Sequence, residues 1–255
     1  MVPTLDAHAH LDPSRSLDEL SSSGAVLSMC PSLEKSESAL ERHDPQIAWG
    51  VGCHPRFPAS QANFDFKRFC SLAMHTAVIG EVGLDTGSRV PMETQLKIFR
   101  QVLEFVAGMP RLVSIHSFRA AALVIKELER TPIAAPVLHW WTGNVAETRR
   151  AVAVGCYFSI HSAVARHSKF RLHVPLERIL VESDHGIHDP PAAIPCRIEW
   201  VEHLVAQQYG MDVKEIRRLC WSNLGRIIQQ TRTSSLFPEK LAALFSPFEL
   251  STHPA

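Results

Sequence analysis

The chain has 255 residues, room for one large or two small domains, and α/β barrels of about 250 residues are built in one piece. Hydrophobic residues make up 45% and charged residues 20%, which excludes a disordered, collagen-like or coiled-coil chain. Lys+Arg and Asp+Glu both number 26, so there is no sequence-wide positive field for a polyanion, and any nucleic-acid contact must be local.

In chain order, apolar runs predict strands at Thr4–His10, Ala25–Cys30, Ile47–Cys53, Ala77–Val82, Leu112–His116, Pro136–Trp140, Cys156–Ile160 and Arg178–Glu182. Several are continuous rather than alternating, as expected for a parallel sheet covered on both faces. Amphipathic stretches lie between them. Glu93–Ala107 puts Leu96, Phe99, Leu103 and Val106 on one helical face, and Arg119–Glu129 and Val145–Val154 are similar. Gly155 is a candidate C-cap for the last of these. From Arg197 the pattern is helical only: Arg197–Gln208, then Val213–Gln230 with Asp212 as N-cap. This alternation predicts a (β/α)8 TIM-like barrel with extra C-terminal helices. The rival open sheet would favour a glycine-rich turn after its first strand, where this chain has His8-Ala9-His10-Leu11-Asp12. No repeat or linker divides the chain, so 1–230 is expected to be one barrel and 231–255, with its Ser, Thr and Pro, a tail that is partly helical or frayed.

The N-terminus lacks a basic segment followed by an apolar run, and apolar stretches such as Thr131–Pro136 are broken by proline well short of the roughly 18 residues of a membrane span. The expectation is a cytoplasmic protein with no membrane partner. None of the six cysteines has Cys-x-x-Cys spacing, so buried reduced thiols are expected rather than a zinc ribbon or redox pair.

The chemistry gathers at the strand ends. Residues two apart in a strand point to one side, so His8 and His10 can reach one ion together. Glu81 is a carboxylate inside an apolar run, where it needs a cation or a hydrogen-bond partner. His116, His139 and Asp184 close three further strands. One such residue could be a satisfied core histidine, but five strands with the same habit converge on one barrel face. Six ligands exceed the four or so of a single zinc ion. A binuclear site is therefore expected, with His8, His10, Glu81 and Asp184 on one ion, and Glu81, His116 and His139 on the other. Glu81 would bridge the two. Two divalent ions (Mg, Mn or Zn) would activate a water that Asp184 orients as a base. Around this set, His54 and His185 are candidate phosphate contacts and Trp140 or Trp141 a surface for stacking a base. The alternatives are a solvated loop for His185 and helix packing for at least one tryptophan. Asp85 is a candidate partner for orienting a ligand.

In this order the motifs resemble the TatD family of metal-dependent nucleases, within the amidohydrolase superfamily. The likeness runs from His8 to about Arg226. It rests on Asp6-Ala7-His8-Ala9-His10, Gly52-Cys53-His54-Pro55, Glu81-Val82-Gly83-Leu84-Asp85, Gln95 with Phe99, His139-Trp140-Trp141-Thr142-Gly143 and Asn223-Leu224-Gly225-Arg226. A glutamate on the fourth strand, with no lysine in Ala77–Val82, favours a nuclease over a deaminase or lactonase. The resemblance implies hydrolysis of DNA or RNA from strand ends. The sequence departs from the family where an arginine should follow His116-Ser117: Phe118 takes that place and Arg119, a candidate substrate contact, comes one later. Strand seven has Ile160 and strand eight Gly186 where the family has other residues, which leaves substrate choice open. Ser114–Ser117 and Pro136–Trp140 are most similar to TatD-like nucleases of Qat-type bacterial anti-phage operons, which implies defence-complex proteins as partners. The competing expectations are another amidohydrolase-type hydrolase, or a complex subunit needing partners for activity.

Overall fold

All eight apolar runs form parallel strands in the computed structural model, which describes residues 2–21, 23–166, 173–186 and 197–249. The strands are β1 (Leu5–Ala9), β2 (Ala25–Ser28), β3 (Ile47–Trp49), β4 (Val78–Gly83), β5 (Leu112–His116), β6 (Ala135–Leu138), β7 (Tyr157–Ile160) and β8 (Ile179–Val181). Every strand residue is buried except the half-buried His116, as the continuous apolar runs require. The covering helices are α1 (Leu17–Leu20), α2 (Leu33–Leu40), α3 (Pro58–Ala62), α4 (Phe66–Ala73), α5 (Met92–Gly108), α6 (Ala121–Arg130), α7 (Val145–Ala153), α8 (Ser162–Ala165), α9 (Glu199–Tyr209), α10 (Val213–Thr231) and α11 (Glu239–Glu249).

The strands pair in chain order as two arcs, β1–β3 and β4–β8. Main-chain bonds close both seams. Val51 pairs with Ile79 beyond the end of β3, with Val51 N–H on the Val78 carbonyl at 3.1 Å and Gly80 N–H on the Val51 carbonyl at 3.0 Å. At the other seam Asp184 N–H donates to the His8 carbonyl at 3.0 Å and His10 N–H to the His185 carbonyl at 2.6 Å. Asp6 reinforces this seam, accepting from Ser183 N–H at 3.0 Å and from Ser183 Oγ at 2.5 Å. The result is a (β/α)8 barrel whose seams are tied where the strands end and the site begins.

Several expected strands are longer than the observed ones, and for β3, β6 and β8 the local cause is plain. β3 ends at Trp49 because Gly50–Gly52 turns in against β4; a Cβ on Gly52 would collide with the main chain of Gly80 and Glu81. β6 ends at Leu138 because Trp140, at φ +42°, turns its N–H onto Glu182 Oε1 at 2.7 Å. β8 starts at Ile179 because Arg178 belongs to the 3-10 turn Leu176–Arg178.

The caps follow the sequence. Asp212 and Glu215 form a reciprocal capping box on α10, and Gly155, at φ +85°, follows α7 with its N–H on the Val152 carbonyl. Within α10, Asn223 donates to the Leu176 and Ile179 carbonyls at 2.9 and 2.8 Å, and Arg226 donates to Asn223 Oδ1 at 2.7 Å. The closing Asn-x-x-Arg motif therefore anchors the start of β8 and is remote from the strand ends that carry the histidines. The stretch expected as a tail contains α11, whose Leu241 and Phe245 are buried, the latter 5.7 Å from the Trp221 ring. The five described cysteines are free thiols; Cys196 and residues 250–255 lie outside the described residues.

Candidate metal centre

Strand alternation puts His8 and Glu81 inside the barrel mouth, and the β1 extension brings His10 beside them. His8 Nε2 and His10 Nε2 are 3.1 Å apart, and each faces Glu81 Oε2, at 3.5 and 3.1 Å. Asp184, at φ +52° just past β8, sets Oδ1 3.5 Å from His8 and 3.6 Å from His10. On the other side of Glu81, Oε1 meets His116 Nδ1 and lies 2.9 Å from His139 Nε2. Gly83 makes the approach of β4 to β5 possible: it takes φ +141°, and a side chain there would run into the His116 main chain. Glu81 is thus the hub, completely buried, with one oxygen toward each half of the cluster.

The outward nitrogens show which inward ones carry lone pairs. His10 Nδ1 lies 3.0 Å from the Met29 carbonyl, which can only accept, so Nδ1 holds the proton and Nε2 is bare. His116 Nε2 lies 3.0 Å from Asp85 Oδ2, which leaves Nδ1 available to a metal ion. His8 Nδ1 pairs with Ser114 Oγ at 2.7 Å. Asp85 is held in turn: its second oxygen takes Gly87 N–H at 2.6 Å, and Gln95 brackets the loop through Asp85 N–H and the Asp85 and Val90 carbonyls. Gln95 therefore braces a ligand's support.

Burial pushes the His8 imidazole down to about 3, helped by His139, and pushes His54 down to about 4. Burial also lifts Asp184 up to about 7. Burial alone would raise Glu81 too, but His54, His139 and His116 override it and hold the carboxyl well below the usual range. The same charges act in reverse on His139: burial opposes its proton, yet Glu81 and Glu182 carry it well above an ordinary imidazole. The cluster demands positive charge, from protons or from cations.

Three polar atoms at its centre are buried with no well-aligned hydrogen bond, facing only other members of the cluster: Glu81 Oε2 toward His10 and His54, His139 Nδ1 toward Glu182, and Asp184 Oδ1 toward His8 and His10. An orphaned buried oxygen or nitrogen costs roughly 1–3 kcal/mol, so three in one place need a common explanation. Divalent ions fit, because the donors are imidazole nitrogens and carboxylates that already converge. Among the described residues, four groups have potential ligand atoms within 4.8 Å of one another: His8, His10 and Asp184; Glu81, His116 and His139; His10, His54 and Glu81; and His8, His139 and Glu182.

All six expected ligand residues meet here. His54 lies deeper than a rim contact, with Nε2 3.1 Å from Glu81 Oε2. A cleft opens over the cluster, lined by His54, Arg56, His116, Phe118, Trp140 and Asp184 among others. Trp140 lies on its wall against His161, whereas Trp141 is buried with its Nε1–H on Thr148. Arg119 does not line this cleft; at φ +51° its guanidinium lies over the Phe118 ring, 5.1 Å from the centroid. His185 is buried, not a solvated loop residue, and ties β8 to β1 through its carbonyl. Two residues escaped the sequence reading. Glu182 lies 3.4 Å from His139 Nδ1 and accepts from Ser159 and Trp140; as a carboxylate ending an apolar run it carried the same signal as Glu81. Arg56 carried no such signal, being one exposed loop arginine among many.

A parallel barrel with imidazoles and carboxylates gathered at its C-terminal mouth defines the class of metal-dependent hydrolases. Over residues 5–229 the sequence matches the family described as TatD related DNase, and the chain belongs to that family. A mouse protein named "Putative deoxyribonuclease TATDN3" is 28% identical over 187 residues, 69% of this chain and 60% of that protein, so the match spans less than two thirds of the relative's length. Among solved structures, the Escherichia coli TatD homologue YJJV superposes with a TM-score of 0.75 at 18% identity. A TatD family hydrolase from Entamoeba histolytica superposes at 0.73 and 15%. Each alignment covers 88% of this chain and 97% of the other, and at these identities shows the shared fold. Among the described residues no helix is long and apolar enough to cross a membrane.

Proposed function

We propose that this protein is a nuclease that hydrolyses phosphodiester bonds of DNA or RNA from strand ends at a two-metal site. The observation that carries the reading is the Glu81 hub, where imidazoles and carboxylates from five strand ends surround buried atoms that lack a well-aligned hydrogen bond. His8, His10, Glu81 and Asp184 would hold one divalent ion, and Glu81, His116 and His139 the other, with Mg, Mn or Zn as the candidates. Bound there, the ions would supply Lewis-acid charge at the phosphate and bring a water's pKa toward neutrality. The chain's own groups do the rest. Asp184, on the cleft wall, orients the attacking water and takes its proton. Met29, Ser114 and Asp85 hold the imidazoles in their ligating orientation. Trp140, on the cleft wall, offers the bound strand an aromatic surface.

The reading extends to the cytoplasm as site of action, to one hydrolase unit over 1–230, and to work beside other proteins in anti-phage defence. The last is supported by the wording of Ser114–Ser117 and Pro136–Trp140. The test is a panel of end-labelled single-stranded DNA and RNA beside lactones and small amides, each with Mg²⁺, Mn²⁺ or Zn²⁺. Stepwise shortening of a labelled strand is the expected result. Turnover of a lactone or amide with intact oligonucleotides would move the assignment to another amidohydrolase-type reaction.

A further inference from the structure

Phe118 stands where the family resemblance calls for an arginine, and it is 44% exposed. Of the large apolar side chains left exposed among the described residues (Leu17, Met74, Phe118 and Trp200), Phe118 lines the cleft over Glu81 and His116. Its place is fixed: the Phe118 carbonyl accepts from Thr86 N–H at 3.2 Å, and the ring lies beside Gly87, where a Cβ would be only 3.4 Å from the ring edge. Arg119 lies over this ring rather than on the cleft wall. The arginine that lines the cleft is Arg56, from the loop before α3. Its N–H donates to His54 Nδ1 at 3.1 Å, which ties it to the cluster.

We propose that Phe118 is a stacking platform that selects an unpaired terminal base, while Arg56 binds a phosphate of the same strand; this rests on the nuclease reading above. The chemistry is complementary. An aromatic face and a cation stand at the mouth of one cleft, over a floor of imidazoles and carboxylates suited to metal ions. A strand end offers both a base and phosphates. A base inside a duplex already stacks on its neighbours and must be unpaired before it can use the Phe118 ring, so the platform favours single-stranded or frayed ends. Phe118 thus offers a base contact at this position, and Arg56 supplies positive charge to the same cleft from a different loop.

The experiment compares short single strands whose terminal nucleotide carries a base or is abasic, with wild type, Phe118→Ala, Phe118→Trp and Arg56→Ala. Wild type is expected to favour the base-bearing end roughly five- to hundred-fold in KM, the range of one stacked base. Phe118→Ala should erase that preference with kcat changed less than about two-fold, and Phe118→Trp should keep it. Arg56→Ala should raise KM on both strands alike. A terminal 2-aminopurine gives a reading independent of turnover: its fluorescence is quenched on binding wild type and stays unquenched with Phe118→Ala. Wild type without a base preference, or Phe118→Ala that retains one, overturns the platform while leaving the nuclease reading intact. A wild type that neither binds nor cleaves either strand with any of the three metals overturns the nuclease reading and the platform with it.

Discussion

Replacing Asp85 by asparagine isolates the support of a ligand from the ligand itself. Asp85 uses both oxygens: Oδ2 faces His116 Nε2 at 3.0 Å and Oδ1 accepts Gly87 N–H at 2.6 Å. Burial would raise this carboxyl, but the His116 charge and the Gly87 N–H outweigh it and keep Asp85 ionised. Asparagine has the same shape but one acceptor. Whichever way its amide turns, an N–H₂ group meets either the Gly87 N–H or the His116 Nε2 proton. If the amide keeps its oxygen toward Gly87, His116 must give up the proton on Nε2 and protonate Nδ1, the atom that faces Glu81. The ligating lone pair is then lost. Partners of this kind are typically worth 10–100-fold in metal affinity, or about 1.4–2.7 kcal/mol. Titration calorimetry of metal-stripped Asp85→Asn should show one class of sites weakened by that factor and a second class unaffected. Metal affinity within about two-fold of wild type at every site would refute the argument that Asp85 sets the His116 tautomer.

Two further predictions concern the frame. Phe245→Ala, which empties the contact between α11 and Trp221, should lower unfolding stability by roughly 3–5 kcal/mol in urea titrations, and a loss below about 1 kcal/mol would mean that α11 does not dock. Asp44 is held below the ordinary carboxylate range: burial raises it, but Arg42 at 2.7 and 2.8 Å and the Trp49 indole at 2.8 Å win. Its stabilisation is therefore complete above the unfolded value of about 3.9 and lost as pH falls through the lower folded value. Thermal melts from pH 6 to pH 3 should show the wild-type advantage over Asp44→Asn narrowing toward the acid end; a gap that widens as pH falls contradicts the sign.

Much of the site was legible because two physical rules overlap at each strand end. Period-two alternation placed His8 and His10 on one side, and the cost of burying a charge singled out Glu81 in an otherwise apolar run. Glu182 obeys the second rule just as well, but Asp184 two residues on competed for the same role, and only the backbone turn at φ +52° shows that both carboxylates reach the cluster. Arg56 lines the cleft and Arg119 does not, for a reason sequence spacing does not carry: the left-handed backbone at Arg119 accompanies a side chain laid on Phe118. The strand count and order were legible, but the seams were not, since they rest on main-chain bonds past the strand ends, such as His10 to His185. The Ser, Thr and Pro of 231–255 left that stretch as partly helical or frayed; Leu241 and Phe245, one helical turn apart, supply the face by which α11 packs on α10.

The central claim is that the cluster around Glu81 holds the ions that drive hydrolysis. The most direct measurement strips the protein of metal, returns Mg²⁺, Mn²⁺ or Zn²⁺ singly, and follows cleavage of end-labelled single strands together with bound metal by elemental analysis, for wild type and Glu81→Ala. The account predicts no cleavage without metal, restored cleavage in wild type, and both reduced metal content and lost cleavage in Glu81→Ala at unchanged fold. Cleavage that survives metal removal, or a Glu81→Ala protein that binds metal and cuts as wild type does, would contradict it.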